Sequence, residues 1–376
     1  MVILNLKMNN VLAFNDFEIN FSYPVKLRKT LIPDENLQSK TSFRYKKVNI
    51  FVGSNATGKT SLIRCIWTIL LFLNRREQNI LLGIMNNNDT PSTIELDYVE
   101  ENQFSSKLKR ISVICQNNEL KMAYNELSIR DGDSYESRAK DLDNMEMIFK
   151  SSLECFESMT PFSGWNVVLP ATEKGFDRIK FFPRENKEED DSYFEILNKV
   201  LKTLDSSIIS VSKSQDAPNA IVIKHENANT IIVQEGISIS SINYLSSGTK
   251  YGINLANIMF AIKYHKNGIY LIDEQFSYVN SDIEASILST MVSMLGPNEQ
   301  LFFTTHNGNI LELGFPFHSF NFMKKVNVDN KQKIVVSCAS LVENRNNVSP
   351  KSIMDNDMLG TAPDVNKIFE IGEVDS

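Results

Sequence analysis

The stretch Gly53-Ser54-Asn55-Ala56-Thr57-Gly58-Lys59-Thr60 decides the fold of this chain of 376 residues. It matches the phosphate-binding loop G-x-x-x-x-G-K-[ST], whose glycines let the backbone wrap tightly enough for successive N–H groups to point at phosphate oxygens. A β-prone run at residues 48–52 precedes the loop, and a helical pattern follows at residues 61–67. Strand, loop and helix in this order place the phosphates at a helix N-terminus. The sequence therefore predicts a nucleoside triphosphate site.

Within this loop, Lys59 and Thr60 supply the chemistry. A lysine at this position reaches the β- and γ-phosphate oxygens of ATP, and the Thr60 hydroxyl is a ligand for Mg²⁺. The backbone from Gly53 to Ser61 is expected to contact the nucleotide. ATP and Mg²⁺ are therefore the predicted cofactors.

A second apolar strand ends in two carboxylates. Residues 268–272 are almost all apolar and are followed by Asp273 and Glu274, as expected when a buried parallel strand delivers acids to the edge of a sheet. In a phosphate-loop ATPase, Asp273 would hold Mg²⁺ and Glu274 would be the general base that activates water. Taken alone, Asp273 fits a helix cap equally well. Downstream of a phosphate loop, the catalytic interpretation is favoured.

Two further segments narrow the class. Residues 244–250 read Tyr-Leu-Ser-Ser-Gly-Thr-Lys, and residues 301–305 form another apolar strand that leads to His306. With the first two motifs, they resemble ABC-type ATPases, in which they correspond to the signature loop and the switch histidine. The resemblance implies that Ser247 and Gly248 contact the γ-phosphate and that His306 assists hydrolysis. In isolation, Ser-Ser-Gly is also an ordinary turn and His306 a histidine in a polar pocket.

The N-terminus indicates a branch of this family. Residues 3–14 resemble the opening strand of the chromosome-maintenance and DNA-repair ABC ATPases. Within that branch, the chain resembles compact ATPases of prokaryotic phage-defence and abortive-infection systems, relatives of the overcoming-lysogenization-defect proteins. The resemblance implies an α/β fold, with an ABC-type P-loop core, an N-terminal or inserted antiparallel β-lobe and a helical insertion.

The patterns divide the chain into four parts. The ATPase core is expected to begin in residues 1–90 and to resume in residues 241–325, followed by a tail at 326–376. Residues 91–240 start with the alternating runs of antiparallel strands and turn helical and charged between about 137 and 205. One interrupted domain is favoured over two separate domains.

The middle segment contains two features without a settled role. The acidic residues 187–192 precede an amphipathic pattern at 193–201; simple capping of a surface helix is the plainest interpretation, and a lid or partner-docking surface is the alternative. The glutamine that senses Mg²⁺ in this family is unassigned, because Gln116 and Gln103 both fit by spacing.

Net charge argues against a globally basic nucleic-acid binder, since it is −7 at pH 7. A local basic patch is an alternative, although an ordinary solvated hairpin is favoured. The patch would consist of Lys26, Arg28, Lys29, Arg44, Lys46 and Lys47.

Cysteine spacing and hydropathy exclude several other classes. The four cysteines lie far apart without C-x-x-C spacing, so neither a disulfide framework nor a zinc site is indicated. The longest apolar run, residues 66–73, is too short to span a bilayer, and the N-terminus does not have the pattern of a secretory signal. We expect a cytoplasmic protein without a membrane partner.

One phosphate loop and one signature per chain imply, by the resemblance, a head-to-tail homodimer that buries two ATP molecules. Asn280 and Ser281 would lie where the family's D-loop crosses the interface. The predicted function is an ATP-hydrolysing dimeric switch, the sensor or regulator of an anti-phage defence system with a separate effector such as a nuclease or toxin. The alternatives are a DNA-repair or recombination ATPase that clamps DNA, and a scaffold that binds ATP without hydrolysing it.

Overall fold

The computed structural model describes residues 1–26, 30–86, 90–101, 105–159, 162, 164–169, 178–227, 229–238, 245–274, 279–328, 331–341 and 349–361. The helices in these ranges are α1 (Lys59–Arg75), α2 (Gln78–Leu82), α3 (Tyr135–Asp143), α4 (Ser152–Glu157), α5 (Lys187–Leu204), α6 (Ser247–Lys263), α7 (Ser281–Met294) and α8 (Pro350–Asp355). In the part of the chain so described, no helix has the length and apolar character needed to cross a bilayer.

The strands are β1 (Val2–Asn9), β2 (Phe17–Asn20), β3 (Val48–Val52), β4 (Ser92–Glu101), β5 (Ser106–Gln116), β6 (Glu119–Ser128), β7 (Lys150–Ser151), β8 (Trp165–Val168), β9 (Ile208–Lys213), β10 (Ala220–His225), β11 (Thr230–Gln234), β12 (Ile269–Asp273), β13 (Gln300–Thr305), β14 (Phe320–Val328) and β15 (Lys331–Cys338). They form three sheets.

The phosphate loop leaves a strand in the middle of a six-stranded sheet. The strand order is β15-β14-β3-β13-β12-β8, with β14 to β8 parallel and β15 antiparallel. Every residue of β3, β12 and β13 is buried, as expected for parallel strands covered on both faces. Their carboxyl ends meet at one edge, which is where open α/β sheets bind ligands.

Alternate side chains of this sheet enter two different hydrophobic clusters. Ile50 and Phe303 belong to the cluster that includes residues of α5, α6 and α7. Phe51 and Phe302 belong to the cluster that includes α1 and the antiparallel strands. Because successive side chains of a strand point to opposite faces, α1 and α6 lie on opposite faces of the sheet.

The second sheet is the predicted antiparallel β-lobe, with strand order β2-β1-β4-β5-β6-β7. The N-terminal strand β1 pairs with β4, so that Leu6 lies opposite Leu96, and Leu96 lies opposite Ile111 of β5. All three side chains are buried in the same cluster as α1. The first strand of the chain and the inserted strands therefore build one lobe.

The predicted helical insertion contains α5, which packs against α6. Tyr193, Leu197 and Leu201 are buried on the inner face of α5. Gly252 of α6 allows the close approach, because a Cβ there would lie 2.5 Å from Leu201 Cδ2. A three-stranded antiparallel sheet, β11-β10-β9, follows α5.

Residues 137–205 are not helical throughout, which differs from the sequence interpretation. Trp165–Val168 form strand β8, which pairs in parallel with β12. Four residues are too few to show a strand period, so the pairing with β12 decides their conformation. The four-part division of the chain stays a prediction; in space, β8 and β15 join the sheet of the phosphate loop.

Candidate nucleotide site

The phosphate loop folds around the ammonium group of Lys59. Lys59 is 3% exposed, and its Nζ donates to the carbonyl oxygens of Gly53, at 2.9 Å, and Ser54, at 3.1 Å. Burial lowers the pKa of Lys59, against the opposing effect of the nearby Glu274 carboxylate. A partly desolvated ammonium held inside the loop is suited to exchange these carbonyls for phosphate oxygens.

Two glycines of the loop are required by what packs outside it. A Cβ on Gly53 would lie 2.5 Å from the backbone oxygen of Met323 in β14. Gly58 has a φ of +97°, and a Cβ there would lie 2.5 Å from Ile334 Cδ1 in β15. A positive φ favours glycine because other residues are strained there. Strands β14 and β15 therefore fix the loop from its outer side.

Asp273 lies at the end of β12, two strands from β3. It is fully buried, and its Oδ1 accepts hydrogen bonds from Thr304 Oγ1 at 2.6 Å and from Thr60 Oγ1 at 3.3 Å. Burial, with a smaller contribution from Glu274, raises the pKa of Asp273 to about 6. Hydroxyl and carboxylate oxygens are the ligands that Mg²⁺ prefers, so Thr60 and Asp273 fit the predicted metal site.

The Glu274 carboxylate lies between two nitrogen groups. Its Oε1 is 2.9 Å from His306 Nε2 and 3.4 Å from Lys59 Nζ. An ammonium only donates, so His306 Nδ1, at 3.4 Å from Lys59 Nζ, is the acceptor and Nε2–H donates to Glu274. The hydrogen bond from His306, followed by the charge of Lys59, outweighs burial and lowers the pKa of Glu274. The predicted base is therefore ionised and oriented by the predicted switch histidine.

Helix α7 braces the loop that carries His306. Thr305 Oγ1 donates to Glu284 Oε1 at 2.7 Å, and Asn307 Nδ2 donates to Glu284 Oε2 at 2.9 Å and to the Ser281 carbonyl at 3.1 Å. Burial raises the pKa of Glu284. A cavity of about 270 Å³ beside Glu274 and His306 is lined in part by this brace. The position of His306 thus depends on the start of α7, where the sequence predicts the D-loop.

The signature segment lies at the start of α6, away from the phosphate loop of its own chain. Ser246 is the N-cap of α6, where its Oγ accepts from Thr249 N at 3.1 Å. Gly248 is in the first turn, while Tyr244 and the Ser247 side chain lie outside the described residues. The hydrogen bonds described for this turn connect it to Asp205 at the end of α5, and not to the predicted site residues Lys59, Asp273, Glu274 and His306.

Two lysines of the alternative basic patch are not available to contact a phosphate backbone. Lys46 and Lys47 are buried; Lys46 Nζ donates to the Asn20 carbonyl at 3.0 Å, and Lys47 Nζ donates to the Leu295 carbonyl at 3.0 Å. Arg28 and Lys29 lie outside the described residues. Lys26 is exposed and Arg44 is half-buried, so the described part of the segment supports neither a patch of all six residues nor a fully solvated hairpin.

The glutamine of the family's Mg²⁺-sensing loop stays unassigned. Gln116 is in the hairpin between β5 and β6, where it pairs with Glu119 in the antiparallel sheet. Gln103 lies outside the described residues.

Sequence reasoning missed three residues that organise the site. Thr304 forms hydrogen bonds with both acidic residues: its hydroxyl donates to Asp273 and accepts from the backbone N–H of Glu274 at 3.0 Å. Glu284 and Asn307 form the brace. The two consecutive threonines at the end of an otherwise apolar strand were a signal for Thr304. The sequence contains no comparable signal for Glu284, which lies ten residues after Glu274 in a separate helix.

Comparison with known proteins establishes the fold. No model of a protein family matches the sequence, and no curated protein is similar to it. An SMC head bound to the C-terminal winged-helix domain of ScpA has a TM-score of 0.51 and 13% identity, over 91% of this chain and 100% of that chain. An SMC head with an extended coiled coil, bound to the C-terminal domain of ScpA from Pyrococcus furiosus, has a TM-score of 0.51 and 12% identity, over 91% and 97%.

A third structure, the SMC head domain from Thermotoga maritima, has a TM-score of 0.42 and 15% identity over 90% of this chain and 99% of that chain; at this score it supports no conclusion. The two higher-scoring structures cover nearly all of this chain at identities that show a shared fold alone. The predicted α/β class is confirmed, and the chain has the ABC-type ATPase fold of an SMC head.

Proposed function

We propose that this protein binds and hydrolyses ATP as a nucleotide-dependent dimeric switch. The observation that carries the proposal is the meeting of Lys59, Glu274 and His306 within 3.4 Å of one another. They lie at the sheet edge where Asp273 approaches the Thr60 hydroxyl. A phosphate loop, a metal-binding pair and an oriented base are the parts that phosphoryl transfer to water requires.

The residues of the site have separate tasks. Backbone N–H groups of the loop and Lys59 would bind the phosphates. Thr60 and Asp273 would hold Mg²⁺, which would neutralise phosphate charge when bound. The γ-phosphate attracts Lys59 away from Glu274, so the carboxylate is left with the His306 N–H as its orienting partner. Glu274 then accepts a proton from the attacking water. ATP and water become ADP and phosphate.

A second copy of the chain completes the site. The signature turn begins α6, which packs on the face of the sheet opposite to the helix α1 of the phosphate loop; Ser247 and Gly248 would therefore reach a γ-phosphate held by another subunit. Two such contacts by symmetry give a head-to-tail homodimer that closes on two ATP molecules. The start of α7, with Asn280 and Ser281, would lie at this interface. Dimer closure would therefore affect the position of His306, because Glu284 of α7 binds the residues on either side of it.

Turnover of Mg²⁺-ATP by the purified protein tests the proposal. Glu274→Gln should keep ATP affinity while turnover falls by about 10² or more, the scale expected for a positioned base. Lys59→Ala should lose ATP binding. Unchanged turnover in Glu274→Gln would contradict the assignment of the base. A wild-type protein that binds ATP without turnover would instead support the non-hydrolysing scaffold.

The proposed biological role is the sensor or regulator of an anti-phage defence system that acts with a separate effector, such as a nuclease or toxin. It is supported by the sequence resemblance to compact phage-defence ATPases. Expression together with its neighbouring genes should reduce phage plating, and Glu274→Gln should abolish this protection. Full protection by the chain alone would contradict the requirement for a separate effector.

A second candidate, an ATPase that clamps DNA, is favoured by a basic and aromatic cleft. The cleft has a volume of about 730 Å³ and lies along β8 and α1. Arg75, Arg178 and Lys180 line it together with Trp67 and Trp165, and its described lining includes no acidic side chain. Cations and aromatic rings together suit a nucleic-acid strand, whose phosphates they neutralise and whose bases stack on the rings.

Binding of labelled single- and double-stranded DNA tests this candidate. Lys180→Glu and Arg75→Glu should weaken binding and reduce its salt dependence. Lys199→Glu changes the net charge equally on α5, outside the cleft, and should have a smaller effect. Absence of binding by the wild-type protein at low salt, with and without ATP, would exclude the DNA clamp.

A further inference from the structure

A chain of hydrogen bonds leads from the signature turn into the helical insertion. The Oγ atoms of Ser246 and Thr249 are 2.6 Å apart, and Thr249 is fully buried. Thr249 Oγ1 donates to Asp205 Oδ2 at 3.4 Å. Asp205 is the C-cap of α5, so this hydrogen bond joins the end of α5 to the first turn of α6.

The chain continues from Asp205 into the three-stranded sheet. Ser207 Oγ donates to Asp205 Oδ1 at 2.7 Å, and Ser207 N donates to the same oxygen at 3.1 Å. His225, at the end of β10, has its Nδ1 3.0 Å from Ser207 Oγ. His225 is only 9% exposed and is anchored through its backbone N–H to the Asn229 carbonyl at 2.9 Å.

The direction of each hydrogen bond follows from the carboxylate at the centre. Burial raises the pKa of Asp205, but the hydrogen bonds from Ser207 outweigh this effect and lower the pKa. An ionised carboxylate only accepts, so the Ser207 and Thr249 hydroxyls both use their protons on Asp205. Ser207 Oγ must then accept from His225 Nδ1–H, and Ser246 must donate to Thr249. Every proton in the chain therefore points toward Asp205.

We propose that Asp205 is a positioning residue for the signature turn, which it holds in the orientation that contacts the nucleotide of the opposite subunit. Thr249 transmits the restraint to Ser246, which is adjacent to the predicted nucleotide contacts Ser247 and Gly248. The inference rests on the proposed ATP-dependent dimer. It adds a residue that would touch neither nucleotide nor metal and that lies 42 residues before Ser247 in the sequence.

The test measures nucleotide binding and dimer formation separately. On the Glu274→Gln background, titration with a fluorescent ATP analogue at low protein concentration reports binding to the monomer, and sedimentation in Mg²⁺-ATP reports the dimer dissociation constant. Asp205→Asn should weaken the dimer by about ten-fold or more, because hydrogen bonds to charged groups are the stronger ones. Affinity of the monomer for the analogue should be unchanged.

Thr249 provides a second route to the same bond. Thr249→Val has nearly the same shape but lacks the hydroxyl, and it should weaken the dimer as Asp205→Asn does, while Thr249→Ser should restore most of the affinity. The protein with both Asp205→Asn and Thr249→Val should form a dimer no weaker than that of either single variant, because both substitutions remove the same hydrogen bond. Asp216→Asn makes the same charge change in the turn between β9 and β10, where it takes no part in these hydrogen bonds, and should leave the dimer dissociation constant unchanged.

Four outcomes bear on the inference. An unchanged dimer constant in both Asp205→Asn and Thr249→Val overturns it, and so does strict additivity in the double variant. If the Asp205→Asn protein does not fold, the comparison of Thr249→Val with Thr249→Ser decides. If the Glu274→Gln protein stays monomeric in ATP, the proposed dimer itself is wrong. If the Glu274→Gln protein dimerises and Asp205→Asn does not weaken that dimer, only the role of Asp205 is wrong.

Discussion

Thr304 shows how one buried hydroxyl organises two acidic positions. It donates to Asp273 and accepts from the backbone of Glu274, and Glu274 has an unfavourable φ of +42°. A non-glycine residue with a positive φ persists only where its surroundings hold it. The hydroxyl therefore helps to maintain the backbone that points the base at its partners.

We expect Thr304→Val, which removes the hydroxyl without changing the shape, to lower turnover by about ten-fold, since it removes a hydrogen bond to a charged group. ATP affinity should change little, because the phosphate loop is untouched. Thr304→Ser keeps the hydroxyl and should be close to wild type. Steady-state turnover and nucleotide titration of the three proteins would check this; equal turnover in the valine and serine variants would contradict it.

Gly53 tests whether the loop needs the close contact with β14. Gly53→Ala places a Cβ against the Met323 carbonyl, and overpacking of this kind lowers the free energy of unfolding by about 1–3 kcal/mol. The displaced loop should also bind ATP more weakly. Gly132, with a φ of +85° and no atom within 4 Å of an added Cβ, is the matched control.

Gly132→Ala should lower the free energy of unfolding by about 1 kcal/mol through backbone strain alone and leave ATP affinity unchanged. Denaturant unfolding and nucleotide titration measure both variants. Wild-type ATP affinity in Gly53→Ala would show that the contact with Met323 does not shape the loop.

The residues that could be predicted from sequence are those whose role is local. Lys59 and Thr60 lie in one contiguous motif, and Asp273 and Glu274 end an apolar run, so short patterns contain the information. The bond between Glu284 and Asn307 depends on how α7 packs against β13, which no spacing in the sequence specifies. The burial of Lys47 could not be predicted, because charge alone does not indicate that a side chain points inward to backbone carbonyls.

The acidic residues 187–192 form the first turns of α5, and two of their four carboxylates are only partly exposed or buried there. Asn186 caps the helix through the N–H of Glu189, at 2.9 Å. Glu189 is 6% exposed, and its Oε1 is 2.7 Å from Lys266 Nζ. Only Glu188 and Asp191 of the four acids are exposed. The cluster therefore caps and fastens α5, and a docking role would depend on the two exposed acids.

We expect Glu189→Lys to lower the thermal unfolding midpoint. It places two ammonium groups against each other in a shielded position and removes the less exposed of the two carboxylates that pair with Lys266, the other being Glu185. Glu188→Lys makes the same charge change on the exposed side of α5 and should leave the midpoint near that of the wild type. Differential scanning calorimetry compares the two. Equal midpoints would show that the ion pair with Lys266 does not hold the helix.

The elements that could be predicted were those with a long or repeated pattern. β4 and β5 contain the alternating runs 93–98 and 109–114, and α5 combines an acidic first turn with an apolar stripe. β8 has four residues and owes its conformation to β12, so a local pattern could not identify it. The joining of β1 to the inserted strands is likewise a long-range pairing, between residues about 90 apart in the chain.

The chain has one phosphate loop, which leads into α1, and one signature, which begins α6 on the opposite face of the sheet. The proposed contact of the signature in trans predicts complementation between defective subunits. Lys59→Ala should fail to bind ATP. Gly248→Asp should bind ATP but fail to close, because its carboxylate would oppose the γ-phosphate. A mixed dimer has one site with both defects and one site with neither, so mixing should restore part of the turnover. A mixture that stays inactive after demonstrated subunit exchange would contradict independent sites with the signature acting in trans.

The molar mass of the Glu274→Gln protein in solution tests the dimeric switch most directly. Light scattering after size-exclusion chromatography should give the mass of two chains in Mg²⁺-ATP and of one chain in Mg²⁺-ADP or without nucleotide, because only the γ-phosphate bridges both subunits. The same protein carrying Lys59→Ala should stay monomeric throughout. A single-chain mass at saturating ATP, or a two-chain mass that does not depend on nucleotide, would contradict the ATP-driven dimer.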